Sequence, residues 1–96
     1  MTLEDLRSTR RESILLLAAR RGATNVRVFG SVARGGNDEL SDIDFLVDLD
    51  SGRTLFDLGG LLSDLEALLQ ERVDVVTEKG LRPRIRERVL AEAIQL

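Results

Sequence analysis

The N-terminal part of the chain carries apolar residues at helical spacing. These residues are Leu3, Leu6, Ile14 and Leu17, and Arg10 is the one gap in the stripe. Thr2 can cap this helix, since Asp5 stands at the third helical position where it completes a capping pair. Arg20-Arg21 and then Gly22 mark the helix end, because cations suit the negative terminus and glycine suits a left-handed cap. The pattern predicts a first helix over about residues 3–21.

Three short apolar runs, at residues 26–29, 43–49 and 72–77, predict strands. The second run has a period of two, which separates its residues onto two faces. One face carries Ile43, Phe45, Val47 and Leu49, and the other carries Asp42, Asp44, Leu46 and Asp48. After the first run, Gly30 ends the strand, residues 31–34 predict a short helix, and residues 35–38 predict a loop.

A broad leucine stripe predicts a helix from the cap residue Thr54 to Leu69. Gly59-Gly60 interrupts the stripe, and each mid-helix glycine costs roughly 1 kcal/mol against alanine. Because the periodicity continues through both glycines, we expect the backbone there to pack closely against a neighbour; a helix that starts after them is the alternative.

The remaining pattern predicts a last helix that begins at Leu81-Arg82-Pro83, with an inner face formed by Ile85, Val89 and Ala93. The connection between the second and third strands is long enough for a crossover, so these strands are expected to be parallel. The element order predicts an α/β (α+β) fold, with a small mixed sheet of three or more strands flanked by helices.

Composition narrows the class of protein. The 96 residues suit one domain, residues 1–96, and no apolar run is long enough to span a membrane. The polar, acidic N-terminus is unlike a signal peptide, so we expect a cytoplasmic protein. Without cysteine or histidine, a metal would bind among oxygen ligands, which favours Mg²⁺ or Mn²⁺ over zinc and excludes histidine-based nucleophilic mechanisms.

Charge is distributed unevenly, although the net charge is only −3. Residues 1–36 carry seven arginines against three acids, and residues 80–96 carry four arginines against two acids. Residues 37–79 carry twelve acids against three bases. This acidic middle fits a cation site better than a nucleic-acid surface, and the near absence of aromatic residues points the same way. Acids on solvated helix faces explain part of this excess of negative charge.

Three aspartates predict the chemistry. Asp42 and Asp44 share a strand face with Cα atoms about 6.5–7 Å apart, so their carboxylates can converge on one or two cations. No basic residue adjoins them in sequence, and neighbouring like charges oppose each other's ionisation. Asp74 lies inside an apolar strand, where an acid needs a partner. Taken singly, each acid also suits a solvated strand edge, and Asp48 is interpreted that way.

The spacing resembles a known family signature. Gly30-Ser31, ten residues, then Asp42-Ile43-Asp44 resembles the DNA polymerase beta-like nucleotidyltransferase superfamily. The longer strings Gly-Ser-Val-Ala-Arg-Gly, Ser-Asp-Ile-Asp-Phe-Leu-Val and Val-Asp-Val-Val resemble its smallest members. These are minimal nucleotidyltransferase (MNT) domains, which are paired as antitoxins with HEPN-domain partners. The resemblance covers about residues 24–96 and implies the nucleotidyltransferase fold.

The resemblance implies a role for each matching residue. Asp42 and Asp44 match the metal-binding pair, and Asp74 matches a third carboxylate that shares a metal and accepts the proton of the attacking hydroxyl. Gly30 and Ser31 match the turn that holds the triphosphate, which suits backbone N–H groups at a helix start. Arg34 matches an arginine of the motif that either touches a phosphate or pairs with a nearby acid.

The implied function is transfer of AMP from ATP, with two Mg²⁺ ions (or Mn²⁺), to a tyrosine hydroxyl of a HEPN ribonuclease toxin. A core of this size has no room for an acceptor domain, so the partner presents the acceptor and a hetero-oligomer is expected. Membrane and direct nucleic-acid binding are not expected. The alternatives are a non-catalytic antitoxin that acts by complex formation, a small-molecule or RNA nucleotidyltransferase, and a structural domain that binds no nucleotide.

Overall fold

A computed structural model describes residues 1–36 and 41–96. The helices are α1 (Leu3–Ser8), α2 (Arg11–Arg20), α3 (Gly30–Ala33), α4 (Leu55–Leu69) and α5 (Pro83–Glu92), with a 3-10 turn at Glu78–Gly80. The strands are β1 (Ala23–Phe29), β2 (Ile43–Leu49), β3 (Val73–Val76) and β4 (Ile94–Gln95). They form one sheet in the order β3-β2-β1-β4. Of the predicted 35–38 loop, residues 37 and 38 lie outside the described residues.

The sheet is mixed, as predicted. β1 pairs antiparallel with both β2 and β4, whereas β2 and β3 run parallel. α4 provides the crossover between the two parallel strands, because an antiparallel hairpin could not connect them. The predicted parallel pairing and the bounds of β2 are therefore confirmed. Across residues 1–36 and 41–96, no helix has the length and apolar character needed to cross a membrane.

The predicted helix over residues 3–21 is wrong in one respect, because the chain forms two helices there. Ser8 Oγ donates to the Glu4 carbonyl at 2.6 Å, and Thr9 Oγ1 donates to the Asp5 carbonyl at 2.7 Å. Such hydroxyl bonds compete with the backbone ladder and favour a bend. α1 therefore ends at Ser8, and Arg10, the gap in the apolar stripe, lies in the break.

One face of the sheet holds the main core. Phe45 of β2, Ile14 of α2 and Leu65 of α4 are almost completely buried there, and the N-terminal helix adds Leu6. Leu46 points to the opposite face and is also completely buried. On the face that carries the aspartates, Leu46 is therefore covered by other residues, whereas the acids are only partly buried.

The C-terminal end differs from the prediction in two ways. Val89 is buried, but Ile85 is 37% exposed, so the predicted inner face of α5 is only partly correct. The sequence pattern also missed β4, which is only two residues long and pairs through Ile94 with Val28 of β1. A strand this short carries no periodicity, so only the neighbouring strand reveals it.

The paired glycines of α4 have different surroundings. A Cβ on Gly60 would meet the guanidinium of Arg21, which in turn donates to Asp64 at 3.0 Å. A Cβ on Gly59 would meet nothing within 4 Å. Because α4 is continuous through both residues, the close packing predicted from the sequence holds at Gly60 and is wrong at Gly59.

This difference gives a matched pair of variants. Gly59→Ala is expected to raise the free energy of unfolding by about 0.5–1 kcal/mol, since it removes the helix cost of glycine in open space. Gly60→Ala is expected to gain less, because its methyl group must displace Arg21 from Asp64. Urea unfolding of both variants measures the difference. Equal gains would contradict the packing described for Gly60.

Candidate active site

The site begins where β1 ends. Gly30 directly follows Phe29, and the antiparallel register places Phe29 opposite Asp44 of β2. Gly30 adopts φ of +75°, a left-handed conformation that favours glycine, and a Cβ there would collide with the Asp44 carboxylate. The sequence therefore needs glycine at this position for two reasons, and the turn lies directly against the acid.

A compact turn follows Gly30 and places the side chains of Ser31 and Arg34 beside the same cleft. The Arg34 N–H donates to the Gly30 carbonyl at 3.2 Å, and the Gly36 N–H donates to the Ser31 carbonyl at 2.7 Å. These hydrogen bonds close the turn at the end of α3. An open cleft of about 540 Å³ lies beside it. Its lining residues are Gly30, Ser31, Arg34, Ser41, Asp42, Asp44 and Arg72.

The parallel register of β2 and β3 places Asp74 directly beside Asp44. Neighbouring strands lie about 4.8 Å apart, and residues in register point to the same face. Asp74 is exposed on the edge strand, so it needs no buried partner, contrary to the expectation from its apolar neighbours. It borders a second cavity, which the residues Phe29, Val76 and Leu81 also line.

The surroundings of Asp44 strongly raise the pKa of its carboxyl. Its half-buried position, and then the negative charges of Asp74 and Asp42, raise the pKa of its carboxyl from 3.8 to about 6. Arg34 opposes this shift through its positive charge, without cancelling it. A carboxylate in this position is electrostatically costly by itself, and a bound cation would relieve the cost.

Asp42 is oriented differently from the other two acids. Its Oδ1 lies 3.3 Å from Nε of Arg72, so a base does neutralise it, although none adjoins it in sequence. As they stand, no three carboxylates within residues 1–36 and 41–96 converge as a metal-binding group. The register sets Asp44 beside Asp74, and Asp42 is paired with Arg72, so the convergence of all three acids on a cation stays a prediction.

Asp48 is not simply solvated, as its position far along the strand had suggested. Arg27 Nη2 donates to its Oδ1 at 2.9 Å, and Asn25 Nδ2 donates to its Oδ2 at 3.0 Å. Asn25 has φ of +50° at a shift in the β1–β2 register, which explains how it reaches the acid. Asp48 therefore fastens β1 to β2 and is separate from the candidate site.

Of the two interpretations of Arg34, the structure shows the pairing with an acid. Its Nη1 donates to Oε1 and Oε2 of Glu92 at 3.2 and 3.1 Å. The Gly30 N–H also donates to Oε1 of Glu92, at 3.1 Å. Sequence reasoning missed Glu92, which lies 62 residues from Gly30. The one local signal was an acid at the end of a helix, where a cation is favoured.

The donor set fits the hard divalent cation that the sequence resemblance implied. Asp42, Asp44 and Asp74 supply only carboxylate oxygens, which suit Mg²⁺ or Mn²⁺. Burial, and then the negative charges of Asp74 and Asp42, raise the pKa of Asp44, so its ionised form is disfavoured at the place where such an ion would bind. Gly30 leaves the Asp44 carboxylate unobstructed on the side of the turn, since a larger residue would strike it.

Comparison with known proteins shows which family the chain resembles. A family model described as a nucleotidyltransferase domain matches residues 11–96. The Thermococcus cleftensis protein adenylyltransferase MntA is 38% identical over 94 residues, which cover 98% of this chain and 95% of that protein. A solved structure of a candidate minimal nucleotidyltransferase is 59% identical, with a TM-score of 0.87, over 100% of this chain and 97% of that one.

A further likeness concerns the fold alone. A crystal structure of a toxin-antitoxin with AMP-PNP superposes with a TM-score of 0.72 at 22% identity. The match covers 88% of this chain and 69% of that chain. The four-stranded mixed sheet flanked by helices is thus the nucleotidyltransferase fold. With a family model covering most of its length, the chain belongs to the nucleotidyltransferase domain family, and the resemblance stated from its motifs is confirmed.

Proposed function

We propose that this protein is an antitoxin that transfers AMP from ATP to a tyrosine hydroxyl of a cognate HEPN ribonuclease toxin and so neutralises it. The observation that carries the proposal is the in-register pair Asp44 and Asp74, of which Asp44 lies against the Gly30 turn and lines the open cleft. The adenylyltransferase name of the Thermococcus relative supports the reaction. The toxin-antitoxin assemblies among the structural neighbours support the biological role.

The residues of the turn and of the neighbouring strands each have a part in this reaction. Gly30 and Ser31 form the turn that holds the triphosphate, the Ser31 hydroxyl donates to it, and Arg34 contributes positive charge beside it. Asp42, Asp44 and Asp74 would hold two Mg²⁺ ions, or Mn²⁺, which supply neutralisation of the charge that develops on the phosphates. To act as a ligand, Asp44 must be ionised, which its pKa of about 6 allows at neutral pH.

The proposed transfer is balanced as follows. The acceptor oxygen forms a bond to the α-phosphorus of ATP, the bond from that phosphorus to the bridging oxygen breaks, and pyrophosphate leaves. Asp74, exposed at the edge of the sheet, accepts the proton of the attacking hydroxyl. Holding the acceptor and the α-phosphate together accounts for much of the rate, because a bimolecular encounter becomes an oriented one.

The acceptor belongs to another molecule. None of the 96 residues is a tyrosine, so a tyrosine acceptor cannot lie in this chain. The cleft is open on its outer side, and Asp74 is exposed, so a partner's side chain can approach the acids. A hetero-oligomer with the toxin would bring the two together and exclude water from the reacting groups.

The test uses the protein co-expressed with the product of the neighbouring reading frame. With ATP and Mg²⁺, we expect the partner to gain the mass of one adenylyl group, and Asp42→Asn and Asp44→Asn to abolish the gain. Asp50→Asn, an exposed acid outside the cleft, serves as the matched control. An unmodified partner that is still neutralised by the aspartate variants would instead favour an antitoxin that acts by binding alone. Transfer to RNA or to a small molecule would favour the third alternative.

A further inference from the structure

Glu92 joins the two parts of the predicted phosphate site. Its Oε1 accepts from the Gly30 N–H at 3.1 Å, and its two oxygens accept from Arg34 Nη1 at 3.2 and 3.1 Å. All three bonds are charge-assisted because the Glu92 carboxylate is the acceptor in each, and such bonds are roughly twice as strong as neutral ones. One carboxylate thus contacts both the backbone of the turn and the only guanidinium carried by the turn.

The backbone on both sides of Glu92 is fixed. Glu92 is the last residue of α5, which is anchored by the buried Val89. Two residues later, β4 begins and pairs with β1, the strand that leads into Gly30. The Glu92 side chain is only 22% exposed, whereas that of Arg34 is 61% exposed. The ordered partner in this pair is therefore Glu92, and Arg34 is the side chain that gains order from it.

Glu92 occupies a position that is unfavourable for an acid. The C-terminal end of a helix carries partial negative charge and disfavours a carboxylate by about 0.3–1 kcal/mol. Asp44 adds further negative charge nearby. The hydrogen bonds to Gly30 and Arg34 offset these costs, so a role at the turn accounts for Glu92 better than the stability of α5 does.

We propose that Glu92 is a positioning residue of the triphosphate site, which orients Arg34 and fixes the Gly30 turn before the nucleotide binds. The inference rests on the proposed function, in which Gly30 and Arg34 hold the triphosphate. Arg34 lines the same cleft as Ser31 and Asp44, so a guanidinium held by Glu92 remains beside the phosphate path. Preorganisation of this kind strengthens binding because less side-chain entropy is lost when the ligand arrives.

A competing role for Glu92 predicts the opposite effect of its removal on nucleotide affinity. If its carboxylate merely filled the anion position, ATP would have to displace it, and its removal would strengthen nucleotide binding. If Glu92 only stabilised the fold, its removal would lower the melting temperature and leave the affinity for nucleotide unchanged. A double-mutant cycle with Arg34 separates these three roles.

The test is calorimetric titration of a non-hydrolysable ATP analogue with Mg²⁺ into four proteins: wild type, Arg34→Ala, Glu92→Ala and the double variant. Arg34→Ala is expected to weaken binding about ten-fold and Glu92→Ala about five-fold. In the Arg34→Ala background, Glu92→Ala is expected to weaken binding by less than about two-fold, because its main partner is already absent. Glu87→Ala, an exposed acid on α5, is the control and should bind as wild type.

Glu92→Gln is the variant to titrate if Glu92→Ala is unstable. The amide still accepts from the Gly30 N–H but no longer pairs with the charge of Arg34, so we expect binding about two- to three-fold weaker than wild type. Tighter binding by either Glu92 variant, unchanged binding, or effects that multiply fully with Arg34→Ala would each overturn the inference. A wild-type protein that binds no analogue would overturn the proposed function, and this inference with it.

Discussion

Asp44→Asn is expected to lower nucleotidyl transfer by about 10²–10³-fold while making the metal-free protein more stable above pH 6. The loss of activity follows because an amide cannot supply the charge that holds a cation at the α-phosphate, and electrostatic terms of this kind are worth about 10²–10³-fold or more. The gain in stability follows because the native protein ionises Asp44 at a cost, which the asparagine side chain of the same size does not incur.

The sign of the stability effect follows from the raised pKa of Asp44. Its carboxyl has a pKa of about 6 in the folded protein, against 3.8 as the reference value. Between these values the folded state binds more protons than the unfolded state, so the contribution of Asp44 to stability falls as the pH rises through this window. Since the side chain is half exposed, solvent screening reduces the cost to about 1–2 kcal/mol above pH 6.

The measurement is urea unfolding of wild type and Asp44→Asn at pH 4 and pH 8 with chelator present. The variant should gain stability relative to wild type at pH 8 and not at pH 4. Asp50→Asn, which is exposed and lies outside the cleft, should show no such difference. An Asp44→Asn protein that is less stable than wild type at pH 8 contradicts the electrostatic description of the site.

Gly30→Ala is expected to be the most damaging single-methyl change, lowering activity about 100-fold and the free energy of unfolding by about 2–3 kcal/mol. A left-handed backbone costs a non-glycine residue about 1–2 kcal/mol, and the added Cβ would also collide with the Asp44 carboxylate. The turn or the acid must therefore move, and a shift of about 1 Å at a catalytic group can cost about 10²-fold in rate.

Gly52→Ala introduces the backbone strain without a collision, so comparing it with Gly30→Ala gives the effect of the collision. Gly52 has φ of +87°, but a Cβ there would meet nothing within 4 Å. It should therefore lose only the strain energy, about 1–2 kcal/mol, and keep full activity. Thermal and urea unfolding of the two variants give the difference directly. Equal losses of stability, or a fully active Gly30→Ala protein, would show that the turn does not depend on its contact with Asp44.

Local signals predicted the elements that have local causes. The alternation from Ile43 to Leu49 gave β2 its bounds, and the capping pair of Thr54 and Asp57 gave α4 its start. The break near Arg10 was not predicted, because the hydroxyls of Ser8 and Thr9 bond to the preceding turn, and the same residues also occur within helices. The gap in the apolar stripe at Arg10 was the one sign of this break, and it was interpreted as an interruption within a single helix.

The candidate site also combines features that the local sequence predicted with features that it did not. The Gly30 turn and the shared face of Asp42 and Asp44 follow from the period of two and from glycine chemistry. The register that sets Asp74 beside Asp44 depends on how the crossover helix places β3, which no single strand encodes. The neutralising bases and the Glu92 contact depend on residues that are far apart in the chain, so they emerge only after folding.

The most direct test of the central claim is the origin of the group transferred to the partner protein. ATP labelled at the α-phosphate and ATP labelled at the γ-phosphate are supplied separately, with Mg²⁺, to the protein and its partner. Nucleotidyl transfer at Asp44 and Asp74 predicts label on the partner from α-labelled ATP alone, with none when Asp44→Asn replaces the wild type. Label from γ-labelled ATP, or undiminished label with the Asp44→Asn protein, would contradict it.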